Sequence, residues 1–281
     1  METNRKKRKR NNANKITEGI DEKMSEQKIQ IPRKNGGILH GILYSCEKQD
    51  VLPPIVIMCH GFTGDKSEWG RFPTSAKSLN NAGFDTLIFD FFGSGENERE
   101  PVLLSHQIQD LEDVAQWVKE KGYSKINTIG LSFGGLTALL AKIPERKCAI
   151  FWAPGFYLNR LFRKKDRLMM KVAKFLHLTP IKRKSSGDYP PILINDKFMQ
   201  EIDAIDMNKE LEQFSTPSLI IHGSADTTLP PEFTREAIRH MPKDENHKRI
   251  EVDGANHDFK DHHLEEFIQK SILWLKKYYY Y

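Results

Sequence analysis

The chain has 281 residues, 38% hydrophobic and 29% charged, with a formal net charge of +5. That balance fits a globular protein with one large core, and no apolar run approaches the roughly 20 residues of a membrane span. The polar, basic N-terminus carries no apolar signal region, and Cys46, Cys59 and Cys148 are too few and too scattered for a disulfide framework. Two of the cysteines lie in apolar runs and read as buried free thiols, which points to a cytoplasmic location.

Residues 1–27 lack periodic apolar positions and read as a basic, disordered tail. Within it, residues 5–10 are six consecutive Lys or Arg, a run able to contact nucleic acid or an anionic surface, to serve as a localisation signal, or simply to be solvated. No zinc-ligand spacing or aromatic–basic interleaving supports a nucleic-acid domain. Residues 28–154 read as the first part of a core. Stretches 28–32 and 37–44, joined by a glycine-containing turn, give a hairpin signal. The near-continuous apolar run 54–60 predicts a parallel strand covered on both faces. The loop His60-Gly61-Phe62-Thr63-Gly64, a helix over 69–81, a strand over 86–90, a helix over 105–121 and a strand over 126–129 follow. This alternation predicts an α/β fold, a mostly parallel sheet flanked by helices, with function at the carboxyl ends of the strands.

The last of these strands runs into Gly130-Leu131-Ser132-Phe133-Gly134 and then an apolar helix, the strand–turn–helix context in which G-x-S-x-G exposes a nucleophilic serine. On its own the pattern carries little weight, since a glycine-rich turn ending a buried strand reads the same way. His60 comes too early to be a base, and its imidazole reads as a packed residue holding its loop. The backbone N–H groups of Phe62 and Phe133 are the candidate oxyanion donors, because both lie at strand ends beside Ser132.

After a strand at 149–154 the alternation stops, and residues 155–210 read as a lid inserted above the strand ends. A helix-like stretch over 156–177 is rich in Leu, Met and Phe and carries seven basic residues against Asp166 alone. Short strands or an irregular hairpin are expected over 179–199 and a helix over 198–211. An apolar inner face would hold an acyl or aryl group; the lysines and arginines favour an anionic substrate or surface, or are merely solvated. Residues 211–281 complete the core: a strand over 216–223 leads to Asp226, a strand over 248–252 to His257, and a helix over 264–278 closes the chain. Asp253 reads as a turn former and Asp258 as a surface or capping group. Ser132, Asp226 and His257 stand in the chain order nucleophile, acid, histidine. In that order His257 is the general base and Asp226 fixes its tautomer. Such chemistry needs no cofactor, and the sequence holds no metal-ligand cluster.

With these residues the chain resembles the alpha/beta-hydrolase superfamily from about residue 28 onward, and within it the small bacterial cinnamoyl or feruloyl esterases and related carboxylesterases. The resemblance rests on His60 to Gly64, Gly130 to Gly135, the lid, His222-Gly223-Ser224-Ala225-Asp226 and Asn256-His257. It implies Ser132, Asp226 and His257 as a catalytic triad, Phe62 and Phe133 as oxyanion amides, and a small-molecule ester with a short, medium or hydroxycinnamoyl acyl group as substrate. The turn Asp90 to Glu96 departs from the family's Gly-x-Gly-x-Ser pattern. Lipase-like action on monoacylglycerols or lysophospholipids, amide or thioester hydrolysis, and a non-catalytic binding role on the same scaffold are the competing readings. Haloalkane and epoxide hydrolases are disfavoured, since they place an aspartate where Ser132 stands.

Overall fold

In a computed structural model of the protein, residues 25–46, 51–162 and 164–279 are described. The basic run at 5–10 lies outside them, as does the tail up to residue 24, together with any contact it makes. The described chain opens within the stretch read as tail, because strand β1 begins at Ser25 (Ser25–Pro32) and pairs with β2 (Ile38–Ser45) in an antiparallel hairpin. The turn at Gly36 and Gly37 takes positive φ at both glycines, 87° each, which a side chain would resist.

Six further strands join the same sheet: β3 (Ile55–Cys59), β4 (Asp85–Phe89), β5 (Ile126–Leu131), β6 (Arg146–Trp152), β9 (Ser218–Gly223) and β10 (His247–Val252). Their spatial order is β1-β2-β4-β3-β5-β6-β9-β10, with β2 antiparallel to both neighbours and every other pairing parallel. The apolar runs of the inner strands serve two cores at once, as the two-residue period of a strand dictates. Ile55, Ile57, Leu87 and Phe151 face one layer, which α2 (Leu104–Glu120), α3 (Phe133–Leu140) and α7 (Pro231–His240) cover. Val56, Met58, Ile88 and Trp152 face the other, against α1 (Arg71–Asn81) and α8 (His262–Lys277).

Residues 153–217 lie between β6 and β9. They form α4 (Lys164–Phe175), a two-stranded hairpin of β7 (Ile181–Arg183) and β8 (Ile192–Ile194), α5 (Asp196–Asp203) and α6 (Met207–Glu212). The single helix expected over 156–177 is broken: Tyr157 takes a left-handed φ of 55° and starts a separate short turn at Leu158–Arg160. The helix expected over 198–211 is likewise two. Asn195 caps the first through its side chain, accepting from the N–H groups of Lys197 and Phe198, and Asp206 caps the second by accepting from Lys209. The segment is fastened to the body by the Leu193 carbonyl, which accepts from the Val102 N–H at 2.9 Å, and by Ser186, whose N–H donates to the Thr63 carbonyl at 2.9 Å. Among the described residues no helix is long and apolar enough to cross a membrane.

Candidate active site

β5 ends at Leu131 and α3 begins at Phe133, so Ser132 alone makes the turn between them. It does so at φ 54°, ψ −116°, a region in which a side chain costs about 1–3 kcal/mol. The surrounding backbone over-determines that conformation. The Ser132 N–H donates to Trp152, and its carbonyl accepts from Gly155 at 2.7 Å and from Gly135 at 3.0 Å. Glycine is required on both sides: a Cβ on Gly130 would lie 2.5 Å from the Gly134 carbonyl oxygen, and one on Gly134 would lie 2.5 Å from that of His60. The turn lifts Ser132 to a partly exposed position above fully buried neighbours.

The loop after β3 runs alongside. A Cβ on Gly61 would come within 3.5 Å of the Ser132 Cβ, which fixes how closely this loop approaches the serine. The Phe62 and Phe133 N–H groups find no acceptor among the described residues. His60 is fully buried and acts as a splint. Its Nε2 accepts from the Phe91 N–H at 3.0 Å, so its proton sits on Nδ1 and is donated to the Gly61 carbonyl at 2.8 Å. In the departing turn, Asp90 accepts from Lys66 Nζ at 2.7 Å, and Glu96 pairs with the same ammonium at 3.0 Å.

Asp226 and His257 are brought together: Nδ1 of His257 lies 2.7 Å from Oδ2 of Asp226. The carboxylate is fully engaged. Oδ1 accepts from the backbone of Thr228 at 2.8 Å and Leu229 at 2.9 Å, and Oδ2 also faces Nε2 of His222 at 3.1 Å. Burial alone would raise the Asp226 pKa, but the hydrogen bonds from His222, His257 and Leu229 outweigh it and hold the carboxyl well below the usual carboxylate range. An ionised Asp226 is an acceptor only, so the His257 Nδ1 facing it is the donor of this contact. Ser132 joins them only by position. Its hydroxyl makes no hydrogen bond among the described residues, although the parallel strands β5, β9 and β10 carry all three residues to the carboxyl end of the sheet. Asp253 accepts from Ser224 Oγ at 3.2 Å in the turn, and Asp258 is exposed.

Two contributors escape the motif reading. His222, quoted in the motif that ends at Asp226 but given no role there, is fully buried between Asp226 and Thr234; it is the one ionisable side chain in the run Leu219-Ile220-Ile221-His222, and that break in an apolar strand is the signal of its role. Glu68 is 1% exposed and joins two loops. Its Oε1 accepts from the Gly61 N–H at 2.5 Å and its Oε2 from Arg71 Nη2 at 2.7 Å. Arg71 Nη1 then donates to the carbonyl of Asp258, beside His257, at 2.7 Å. The backbone is left-handed at Glu68 (φ 43°), Trp69 (φ 54°) and Gly70 (φ 88°), which turns Glu68 inward and delays α1 to Arg71. The Gly64 position admits no Cβ, because the Glu68 carboxylate occupies that space.

Beyond Phe62 an apolar cavity of about 450 Å³ opens under the inserted segment, lined by Phe62, Phe162, Met169, Met170, Phe198 and Met199, with Arg183 and Asp166 at its edge. Phe62, Phe133 and Phe198 pack ring against ring at 5.1 to 5.7 Å between centroids. The polar loop of the β7–β8 hairpin adds a latch to the same region: the Ser186 hydroxyl donates to the Asp65 carboxylate, three residues beyond Phe62.

Comparison with known proteins agrees with this architecture. A family model described as alpha/beta hydrolase fold matches residues 54–146. An uncharacterised 31.7 kDa protein from the traX-finO intergenic region of Escherichia coli is 23% identical over 262 residues, 80% of this chain and 91% of its own length. Among solved structures, Est1E of Butyrivibrio proteoclasticus with ferulic acid bound superposes with a TM-score of 0.72 at 21% identity, over 89% of this chain and 98% of that one. A monoacylglycerol lipase of Paleococcus ferrophilus does so with a TM-score of 0.66 at 19% identity, over 91% and 99%. The strand order, the turn at Ser132 and these superpositions together establish that the chain has the alpha/beta-hydrolase fold.

Proposed function

We propose that the protein is a serine hydrolase that cleaves carboxylic esters through an acyl-enzyme on Ser132. The observation that carries this reading is the 2.7 Å contact between Asp226 and His257 Nδ1, which leaves Nε2 as the basic nitrogen at the sheet edge where Ser132 turns outward. His257 Nε2 takes the hydroxyl proton as Ser132 Oγ attacks the ester carbonyl. The oxyanion that forms is met by the N–H groups of Phe62 and Phe133. Collapse expels the alcohol, which receives the proton from His257. Water, deprotonated by the same nitrogen, then attacks the acyl carbonyl; the carboxylic acid leaves and Ser132 regains its proton. Asp226 stays ionised throughout and steadies the imidazolium.

The inserted segment serves as the lid, and the cavity beyond Phe62 is the acyl pocket. Its volume of about 450 Å³ and its phenylalanine and methionine lining suit a medium-length aliphatic or an aryl acyl group. Est1E, with its bound ferulic acid, supports the aryl form; the monoacylglycerol lipase supports a lipid ester, a second reading that the soft, methionine-rich lining also favours. A panel of p-nitrophenyl and methyl esters of graded chain length, run beside methyl hydroxycinnamates with wild type and Ser132→Ala, tests both. Turnover that depends on Ser132 is expected, with an optimum set by acyl size. A folded wild type with no Ser132-dependent turnover of any member refutes the esterase reading and leaves the scaffold as a binding protein.

A further inference from the structure

The most apolar face of α4 points away from the protein. Leu168 is 62% exposed, Val172 47% and Phe175 82%, with Met169, Leu176 and Leu178 beside them at 54–64%. The spacing 168, 172, 175 is one stripe of a helix, which a surface helix ordinarily turns toward the core. Here the inward side is held by Met170 instead. Six of the eleven large apolar side chains exposed among the described residues fall within this stretch, a concentration that marks a contact surface.

The charges around the stripe divide into two sets. Arg160, Arg167 and Lys174 are ion-paired with Glu236, Asp203 and Asp196. Lys165, Lys171, Lys182, Arg183 and Lys184 are exposed and form no ion pair among the described residues. Residues 155–184 hold ten Lys or Arg and a single acidic residue, Asp166. The surface is therefore an apolar ridge bordered by unneutralised positive charge. It is continuous with the cavity beyond Phe62, since Met169 and Arg183 belong to both.

We infer that this face docks on an anionic lipid surface. Phe175, Leu168 and Val172 would enter the acyl region while the lysines and Arg183 meet the phosphates, the division of labour of an interfacial amphipathic helix. A second copy of the chain is a poorer occupant, because face-to-face pairing would bring two unneutralised basic borders together. A docked protein presents its acyl cavity to the lipid, so the ester drawn from that surface is a lipid ester; this last step rests on the ester-hydrolase reading, whereas the docking does not.

The test is co-sedimentation of the full chain carrying Ser132→Ala with vesicles of phosphatidylcholine, with and without phosphatidylglycerol. Binding is expected only with phosphatidylglycerol, and is expected to weaken as salt rises. The combined exchange Leu168→Gln, Val172→Gln and Phe175→Gln should lower partitioning by about 100-fold or more. Lys165→Glu with Lys171→Glu should lower it by at least about 10-fold. All five positions are exposed, so circular dichroism should report an unchanged fold. Turnover of a water-soluble acetate ester by wild type reports the catalytic reading separately. Failure of the folded chain to bind phosphatidylglycerol vesicles overturns the proposal. So does binding that the triple exchange leaves intact, which would place it elsewhere, such as the basic run at 5–10. Self-association that the triple exchange abolishes, without vesicle binding, would assign the face to a second copy instead.

Discussion

Exchanging Glu68 for glutamine removes one charge and almost no volume, and it acts on the two loops that flank Ser132. The carboxylate accepts from the Gly61 N–H at 2.5 Å through one oxygen and from Arg71 at 2.7 Å through the other. An amide offers a single acceptor oxygen, so it can serve one of these donors and turns its own NH2 toward the other. One charge-assisted hydrogen bond is lost, worth about 1.5–3 kcal/mol. Arg71 keeps the Glu68 and Asp258 carbonyls at 3.0 and 2.7 Å, which softens the loss of its partner, so a stability decrease of about 2 kcal/mol is expected. The kinetic effect comes through geometry. The Gly61 amide immediately precedes the Phe62 amide, which the proposed mechanism makes an oxyanion donor, and complete loss of one such donor costs about 10² to 10³ in kcat. A loosened donor should cost about 10- to 100-fold in kcat and leave KM almost unchanged, because the oxyanion exists only in the transition state. Steady-state kinetics on a water-soluble aryl ester, with a parallel thermal melt, measure both quantities. A Glu68→Gln protein that is destabilised but keeps wild-type kcat would refute the positioning role and leave Glu68 as a structural group; a loss confined to KM would do the same.

Three further expectations follow from the same geometry. Ser132→Gly should be more stable than Ser132→Ala by about 1 kcal/mol, because glycine relieves the strain at φ 54°, ψ −116°; chemical denaturation reads the difference, and equal stabilities would contradict the strain. Asp226 has its carboxyl held below the usual range in the folded state, so as pH falls the unfolded chain takes up that proton first. Its contribution is therefore complete above the ordinary carboxyl range and lost below it. The stability gap between wild type and Asp226→Asn should be flat from pH 7 to about 5 and shrink below about pH 4. Burial pushes the thiols of Cys59 and Cys148 up, the latter to about 12, so neither should react with a thiol reagent until the protein is unfolded; rapid native labelling of either would contradict their placement on β3 and β6.

The order of strands and helices was readable because the inner strands are short apolar runs with glycine at their ends, and because helix 104–120 repeats its apolar residues at 3.6 intervals. Asp226 was readable because it lies just past such a run, and His257 because it follows the last strand in the chain order nucleophile, acid, histidine; the two side chains are hydrogen-bonded. Glu68 was not. It falls where the sequence suggests the approach to a helix, and left-handed φ at Glu68 and Trp69 is a choice imposed by the loops around them, with only Gly64 and Gly70 hinting at it. Residues 155–210 were legible in composition but not in boundaries. Tyr157 breaks the pattern by tertiary constraint, whereas Asp206 was a visible capping signal within the stretch 198–211 assigned to one helix, and Asn195 one just before it, in a stretch read as short strands. The outward stripe of α4 was likewise hidden, because periodicity shows that a helix has an apolar side without showing which way that side points.

The hydrogen bonds from Ser186 to Thr63 and Asp65 have a bearing on protein engineering. Segments between β6 and β9 invite exchange as a means of changing specificity, on the premise that they are modules clipped onto a constant scaffold. Here the clip is fixed to the strand-end loop that also carries the Phe62 amide. A transplanted segment lacking a donor at the Ser186 position would leave Asp65 Oδ2 and the Thr63 carbonyl without the Ser186 bonds, with only the Ser67 N–H still held by Asp65 Oδ1, and would slacken that loop. Chimaeras built on this chain should therefore retain Ser186 with its neighbouring turn and vary only what lies beyond it.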